Sequence, residues 1–197
     1  MDIISLLDRH RSEFEIYLSL LLKWNKVYNL TAITEHDEVW EKHFYDSLAP
    51  LKLLPKSGDL LDIGSGAGFP GIPLKIARPA LSVTLLDAVD KKCLFCETVI
   101  RELGLKDINV VHGRAEDKKI QDNLGKFDAV ISRATFSLKK YIAIAKPYLK
   151  EGSPLIAMKS VNVQKELAEA GVEVKTLEEY VLPKSGAKRY LVMINDM

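Results

Sequence analysis

The chain has 197 residues, of which 47% are hydrophobic and 28% charged, with 28 Lys+Arg against 27 Asp+Glu. That balance belongs to an ordinary globular chain and excludes a mainly disordered, collagenous or coiled-coil protein, and the length fits one full domain with a small appendage. A net charge of +1 does not announce a nucleic-acid partner, because domains that grip phosphates through bulk charge are strongly basic.

The N-terminal segment MDIISLLDRHRSEFEIYLSLLLKWNK has charges scattered through it and no small-residue cleavage site after an apolar core, so it does not read as a signal peptide. No apolar run approaches the ~20 residues of a membrane span, and a cytoplasmic protein is expected. Leu6, Leu7, Phe14, Tyr17, Leu18, Leu21, Leu22 and Trp24 recur at three- and four-residue steps, the stripe of an amphipathic helix. Asn29-Leu30-Thr31 breaks the pattern, and a second amphipathic stretch, Glu38–Leu48, ends at Pro50. Residues 1–50 hold too little apolar surface for a core of their own. They are expected as a helical extension packed on a domain spanning 51–197.

From Asp59 short β-rich runs alternate with helical ones. Strands are expected at Leu60–Ile63, Ser82–Leu86, Asn109–His112, Ala129–Ser132 and Pro154–Met158. Helices are expected between and after them, at Ile72–Ala77, Lys91–Leu103, Glu116–Asn123, Leu138–Tyr148 and Val163–Ala170. Such alternation implies parallel βαβ units. The tail differs: Glu173–Leu182 and Arg189–Ile194 are both β-like with no helix between them. The expected fold is α/β and Rossmann-like, a mostly parallel seven-stranded sheet with an antiparallel C-terminal strand. Cys93 and Cys96, the only cysteines, lie on one face of a predicted helix. That suits buried packing better than a zinc or redox site.

Leu60-Leu61-Asp62-Ile63-Gly64-Ser65-Gly66-Ala67-Gly68 runs from a strand into glycines and then a helix. In such folds ligands bind outside the carboxyl ends of the strands, where glycines let the backbone come close. Gly66 to Gly71 also fits the dinucleotide fingerprint G-x-G-x-x-G, with Asp87 downstream, so an NAD-dependent oxidoreductase is one reading. Two features oppose it. A pyrophosphate wants free N–H donors at the helix start, and Pro70 and Pro73 each remove one. Asp62 would also set a carboxylate beside the diphosphate. S-adenosylmethionine carries a cationic sulfonium and amino group instead, which a carboxylate helps. Asp87 can accept from ribose hydroxyls under either reading, and Ala115 and Glu116 stand where the adenine would lie.

Ser132-Arg133-Ala134 follows the fourth strand, where a methyl acceptor would approach; an Arg there can bond a phosphate or guanine O6, or stack on a base. No general base is evident. A guanine N7 would need none, since it already presents a lone pair and asks only for positioning and electrostatics. On the residues alone the acceptor stays open. His43, Asp46 and Ser47 suggest a hydrolase triad, but they share one predicted helix and lack a nucleophile elbow. Packing, capping or a contact with the cofactor cleft fits them better.

Several motifs together resemble the GidB family, the ribosomal RNA small subunit methyltransferases G. They are the loop Leu61 to Leu74 (L-D-I-G-S-G-A-G-F-P-G-I-P-L), Lys23 to Thr31 (K-W-N-K-V-Y-N-L-T) and His43 to Leu48 (H-F-Y-D-S-L). Leu85-Leu86-Asp87, Arg114-Ala115-Glu116, Ile131 to Ala134 and Lys188 to Val192 follow in order. The resemblance implies a class I methyltransferase that moves a methyl group from S-adenosyl-L-methionine to N7 of guanine 527 in 16S rRNA, with the small ribosomal subunit as partner. It implies no metal, and a monomer is expected. Gly64, Phe69, Ala115, Glu116 and Arg133 match its cofactor-contacting positions. With Asp62, Gly66, Gly68 and Asp87 these make the candidate cofactor site. Arg133 and Arg189 are the candidate catalytic residues: Arg133 to position the guanine, Arg189 at a basic position near the RNA. Ala88, Lys92 and Ser160 stand where the family often has Ser, Arg and Gly, which leaves the role of Lys159 unassigned. A non-catalytic RNA-binding or assembly factor on the same fold is the remaining alternative.

Charge counted by segment is uneven. Residues 1–50 carry 5 basic and 9 acidic groups, residues 51–131 carry 12 and 11, and residues 132–197 carry 11 and 7. The total thus resolves into an acidic helical extension and a basic C-terminal third, as suits an enzyme that approaches one structured site.

Overall fold

The computed structural model describes residues 2–133 and 136–195; Ala134 of the Ser132-Arg133-Ala134 motif lies outside them. Two helices, α1 (Ile3–Arg9) and α2 (Arg11–Tyr28), open the chain. Asp2 caps α1, its carboxylate accepting from the Ile4 and Ser5 N–H groups, while Asn29 ends α2 in the left-handed region at φ 50°. The stretch expected as one amphipathic helix is instead composite. Helix α3 (His36–Val39) runs into a π-helical segment, Trp40–Tyr45, then α4 (Asp46–Leu48) and a 3-10 turn, Ala49–Lys52.

The rest alternates as expected: β1 (Gly58–Ile63), α5 (Gly71–Ala77), β2 (Leu81–Asp87), α6 (Asp90–Glu102), β3 (Ile108–His112), α7 (Lys118–Leu124), β4 (Ala129–Arg133), α8 (Leu138–Ala145), β5 (Leu155–Lys159), α9 (Val163–Ala170), β6 (Thr176–Val181) and β7 (Lys188–Ile194). The seven strands lie in the order β3-β2-β1-β4-β5-β7-β6. Parallel pairing runs from β3 through to β5, and β7 lies antiparallel to both β5 and β6. The order reverses between β1 and β4, so the loops after those strands diverge and open a crevice at their carboxyl ends.

Strand alternation explains the two cores. In β1, Leu60 faces one way and joins the cluster with Phe14, Tyr17, Leu21, Phe44 and Phe95. Leu61 and Ile63 face the other way, with Leu138, Tyr141, Ile144 and Tyr148. A central parallel strand buried on both faces is therefore nearly continuous in apolar residues. The first fifty residues share the first cluster with the sheet. Polar links add to the apolar seam: Arg78 donates to the carbonyls of Leu51, Leu54 and Pro55, and the Tyr17 hydroxyl donates to the Ala67 carbonyl. No helix among the described residues is long and apolar enough to cross a membrane.

Candidate functional site

The glycine loop is shaped from below by Asp62. Because residues 60 and 62 of β1 share a face, this carboxylate points beneath α5, where it is fully buried. Its Oδ2 accepts from the Gly71 N–H at 2.8 Å, while Oδ1 has no hydrogen-bond partner. Burial pushes the carboxyl up to about 7, against the smaller opposing pull of the Gly71 N–H and Arg133. Gly71 is forced here, since a Cβ would stand 2.2 Å from Leu85 Cδ2 and 2.9 Å from Asp62 Oδ2.

The start of α5 offers nothing to a diphosphate. Pro70 and Pro73 have no N–H, Gly71 donates to Asp62, and Ile72 and Leu74 donate to the carbonyls of Gly68 and Pro70. At the tip of β2, Asp87 accepts from the Gly66 N–H (2.8 Å) and the Val89 N–H (2.9 Å), one on each oxygen. Each oxygen keeps a further lone pair for a ligand hydroxyl.

Three cavities run along the carboxyl ends of the strands and share walls. The first, of about 270 Å³, is lined by Gly64, Asp87, Ala88, Lys92, Ala115 and Glu116 among others. The second, of about 190 Å³, is lined by Thr31, His43, Gly64, Gly66, Phe69 and Arg133 among others. The third, again about 270 Å³, is lined by Lys42, His43, Asp46, Arg133, Lys159 and Arg189 among others. Gly64 and Lys92 bound both of the first two, and His43 and Arg133 bound both of the last two.

The candidate cofactor residues Gly64, Gly66, Phe69, Asp87, Ala115, Glu116 and Arg133 thus come together on two adjoining cavities. Asp62 and Gly68 line neither. Asp62 sits under the loop, and Gly68 is pressed against the core, where a Cβ would meet Ile72 Cδ1 at 2.5 Å and the Tyr17 hydroxyl at 2.7 Å. Arg189 lines only the third cavity, with Nε 3.8 Å from Asp46. Cys93 and Cys96 are buried and free; their thiols face the carbonyls of Asp87 and Gly66 at 3.5 Å each.

Sequence reasoning left His43 and Asp46 without a partner and missed Lys42, Thr31 and Tyr180. Arg133 NH1 donates to the Lys42 carbonyl (2.9 Å) and Asp46 Oδ2 (3.2 Å), and NH2 lies 3.1 Å from His43 Nδ1. Tyr180 donates to Asp46 Oδ1 at 2.7 Å. Lys159 is buried against Glu166 at 2.8 Å and donates to the Phe136 carbonyl, while Glu166 accepts from the Leu138 N–H at the start of α8. The pair thereby anchors the chain that leaves β4.

Strand order, the glycine loop and an acid at the tip of β2 together define a class I methyltransferase, an enzyme using S-adenosyl-L-methionine. The donor set fits that cofactor: a buried carboxylate with an unpartnered oxygen below the loop and open lone pairs on Asp87, with no N–H cradle for a diphosphate. Solved structures share the fold. An S-adenosylmethionine-dependent methyltransferase from Aquifex aeolicus is 20% identical with a TM-score of 0.60, over 80% of this chain and 93% of that one. Aeropyrum pernix fibrillarin is 15% identical with a TM-score of 0.56, over 72% and 69%.

Sequence comparison goes further. The family described as rRNA small subunit methyltransferase G matches residues 10–192, and the chain belongs to that family. It is 47% identical to ribosomal RNA small subunit methyltransferase G of Lachnoclostridium phytofermentans, over 95% of this chain and 82% of that protein. The namesake in Brevibacillus brevis is 40% identical over 97% and 84%. The protein is thus an rRNA methyltransferase, and the dinucleotide reading allowed by the glycine spacing falls.

Proposed function

We propose that the protein transfers the methyl group of S-adenosyl-L-methionine to N7 of guanine 527 in 16S rRNA of the small ribosomal subunit. The observation that carries this reading is that the two side-chain proton acceptors beside Arg133 among the described residues, His43 and Asp46, already hold hydrogen bonds. His43 accepts at Nδ1 and meets Thr31 at Nε2 (2.9 Å), and both oxygens of Asp46 are bonded. Groups engaged in this way offer a substrate little as a general base, which suits an acceptor that brings its own lone pair. N7 of guanine does so, and the transfer is then a direct displacement governed by positioning and charge.

The third cavity, about 270 Å³, suits one base rather than a base pair, so the guanine enters out of its stack. Asp87 accepts the ribose hydroxyls, Ala115 and Glu116 meet the adenine, and Gly64, Gly66 and Phe69 shape the loop against the cofactor. Asp62 answers its positive charge from below, and Gly68 sets the loop's path. Arg133 orients the guanine or its flanking phosphate, and Arg189 meets the RNA at the outer wall. Residues 1–50 act as the helical extension and residues 51–197 as the methyltransferase domain. The protein works in the cytoplasm as a monomer.

The test supplies labelled S-adenosyl-L-methionine with small subunits from a strain lacking the gene. Label is expected in N7 of a single guanine, G527, and Arg133→Ala is expected to abolish it. Label at another RNA position, in protein or in small molecules would overturn the assignment.

A further inference from the structure

The wall between the second and third cavities is made by His43 and Arg133, so the methyl group has to pass where these two side chains meet. A long arginine side chain holds one orientation only if its donors are fixed, and here the extension fixes them. The Asp46 N–H donates to the Glu41 carbonyl five residues back. The Lys42 carbonyl, which an α-helix would pair with Asp46, accepts from Arg133 NH1 instead. The π-helical register thus turns the Asp46 N–H away from the Lys42 carbonyl that holds Arg133, and π segments often occur where function needs such a distortion.

His43 supplies the second acceptor. An arginine only donates, so Nδ1 facing NH2 at 3.1 Å must be the unprotonated nitrogen. Nε2 then carries the hydrogen and donates to Thr31 Oγ1 at 2.9 Å, while that hydroxyl oxygen accepts from the Ile33 N–H at 3.1 Å. The ring also stacks on Phe69, with centroids 4.5 Å apart and planes 16° apart, and the Arg133 guanidinium lies over the same Phe69 ring at 5.1 Å. Burial, then the charge of Arg133, holds the imidazole down at about 3, so the acceptor survives throughout the neutral range.

We propose that His43, held in its Nε2–H tautomer by Thr31, is a positioning residue for methyl transfer that fixes the Arg133 guanidinium on the wall between cofactor and substrate. The inference rests on reading this cleft as the methyltransferase site. It assigns His43 neither proton transfer nor contact with the reacting atoms; its contribution passes through Arg133.

The test compares His43→Phe, which keeps a ring against Phe69 and loses the acceptor, with His43→Asn, whose Oδ1 restores an acceptor near Nδ1 without the ring. Affinity for S-adenosyl-L-methionine is measured calorimetrically, single-turnover methylation on undermethylated small subunits, and folding by melting temperature. His43→Phe is expected to weaken cofactor binding about tenfold and slow transfer ~10–100-fold, the scale of a lost hydrogen bond to a charged group plus misplacement. His43→Asn is expected to recover both to within about threefold. Thr31→Val, which removes the acceptor of the Nε2–H, is expected to slow transfer about three- to tenfold and serves as well if His43→Phe does not fold. Wild-type rates in His43→Phe, or an Asn variant as defective as Phe while melting normally, would overturn the proposal; so would Thr31→Val at the wild-type rate. If the wild type methylates no subunit RNA, the functional reading fails, while the Phe-to-Asn contrast in cofactor affinity still decides the role of His43.

Discussion

Asp62→Asn isolates the cost of the buried carboxylate beneath the glycine loop. In the folded protein Asp62 ionises at about 7 because burial opposes its charge. In the unfolded chain it ionises near ~3.9. The unfolded state therefore loses its proton first as pH rises. The sign follows: the stability associated with neutral Asp62 is fully present below the unfolded value and is lost as pH rises through about 7. Three units of displacement correspond to ~4 kcal/mol at full ionisation, of which about 1.5 is already lost at pH 5. An asparagine cannot ionise, and its oxygen can still accept from the Gly71 N–H that Asp62 Oδ2 holds at 2.8 Å. The difference in unfolding free energy between Asp62→Asn and wild type is thus expected to shift by ~2–3 kcal/mol in favour of Asn between pH 5 and pH 8. Urea unfolding of cofactor-free protein at pH 5, 6.5 and 8 measures it directly. A gap that does not change with pH, or one that moves towards wild type, would refute the argument that desolvation dominates this carboxylate.

The same carboxylate predicts a proton count: binding S-adenosyl-L-methionine at pH 7 should release a fraction of a proton, seen as a dependence of calorimetric heat on buffer, and the effect should vanish in Asp62→Asn. Gly71→Ala should destabilise by ~2–4 kcal/mol through overpacking against Leu85 and Asp62, while Gly66→Ala, with nothing within 4 Å of its Cβ but a φ of +60°, should cost ~1–2 kcal/mol. Thermal melts that rank the two the other way would contradict the packing argument. Burial raises the Cys93 thiol to about 11 and the Cys96 thiol well above its ordinary value, so both should react with a disulfide reagent at pH 8 only as fast as the protein opens; rapid labelling in native buffer would count against it. Turnover of His43→Asn should follow the wild-type pH profile between pH 5 and 8, because His43 titrates well below that range.

Much of the fold was legible because a doubly wound sheet punctuates its chain. Apolar runs buried on both faces end at Asp62-Ile63-Gly64, Asp87 and Arg133, a half-buried edge run ends at His112, and helices fill the intervals. The burial of Asp62 was legible too, since strand alternation puts it on the face of Leu60, although its place in the motif suggested direct ligand contact. The π-helical register was not. A change from four- to five-residue hydrogen bonding alters no composition, and the pattern over Glu38–Leu48 still looks amphipathic. One signal was available: Glu41, His43, Asp46 and Ser47 are polar at closely spaced positions, and all are buried in the fold. Buried polar groups need partners, and those of Glu41 and Asp46 lie on β4, β6 and the turn before β7, with Arg133 and Asp46 87 residues apart along the chain. Pairing at such separation leaves no local trace.

The uneven charge also takes on a different meaning once the cleft is seen. Three of the acids in residues 1–50, Asp37, Glu41 and Asp46, meet the basic C-terminal third. Asp37 pairs with Lys184 at 2.7 Å and Asp46 with Arg133 at 3.2 Å. Glu41 accepts from the N–H groups of Lys184 and Ser185. Positive charge at the cleft is therefore largely matched from within the chain and is not available as a bulk attraction for phosphates. Affinity for free 16S rRNA should then depend weakly on salt. At roughly 0.7 counterions released per phosphate contact on single strands, one to four contacts give a log–log slope between about −1 and −3. Filter binding from 50 to 300 mM salt measures that slope. A value steeper than about −5 would mean that the protein grips the RNA backbone broadly, and that its selectivity does not come from admitting one base past Arg189 to the wall of Arg133 and His43.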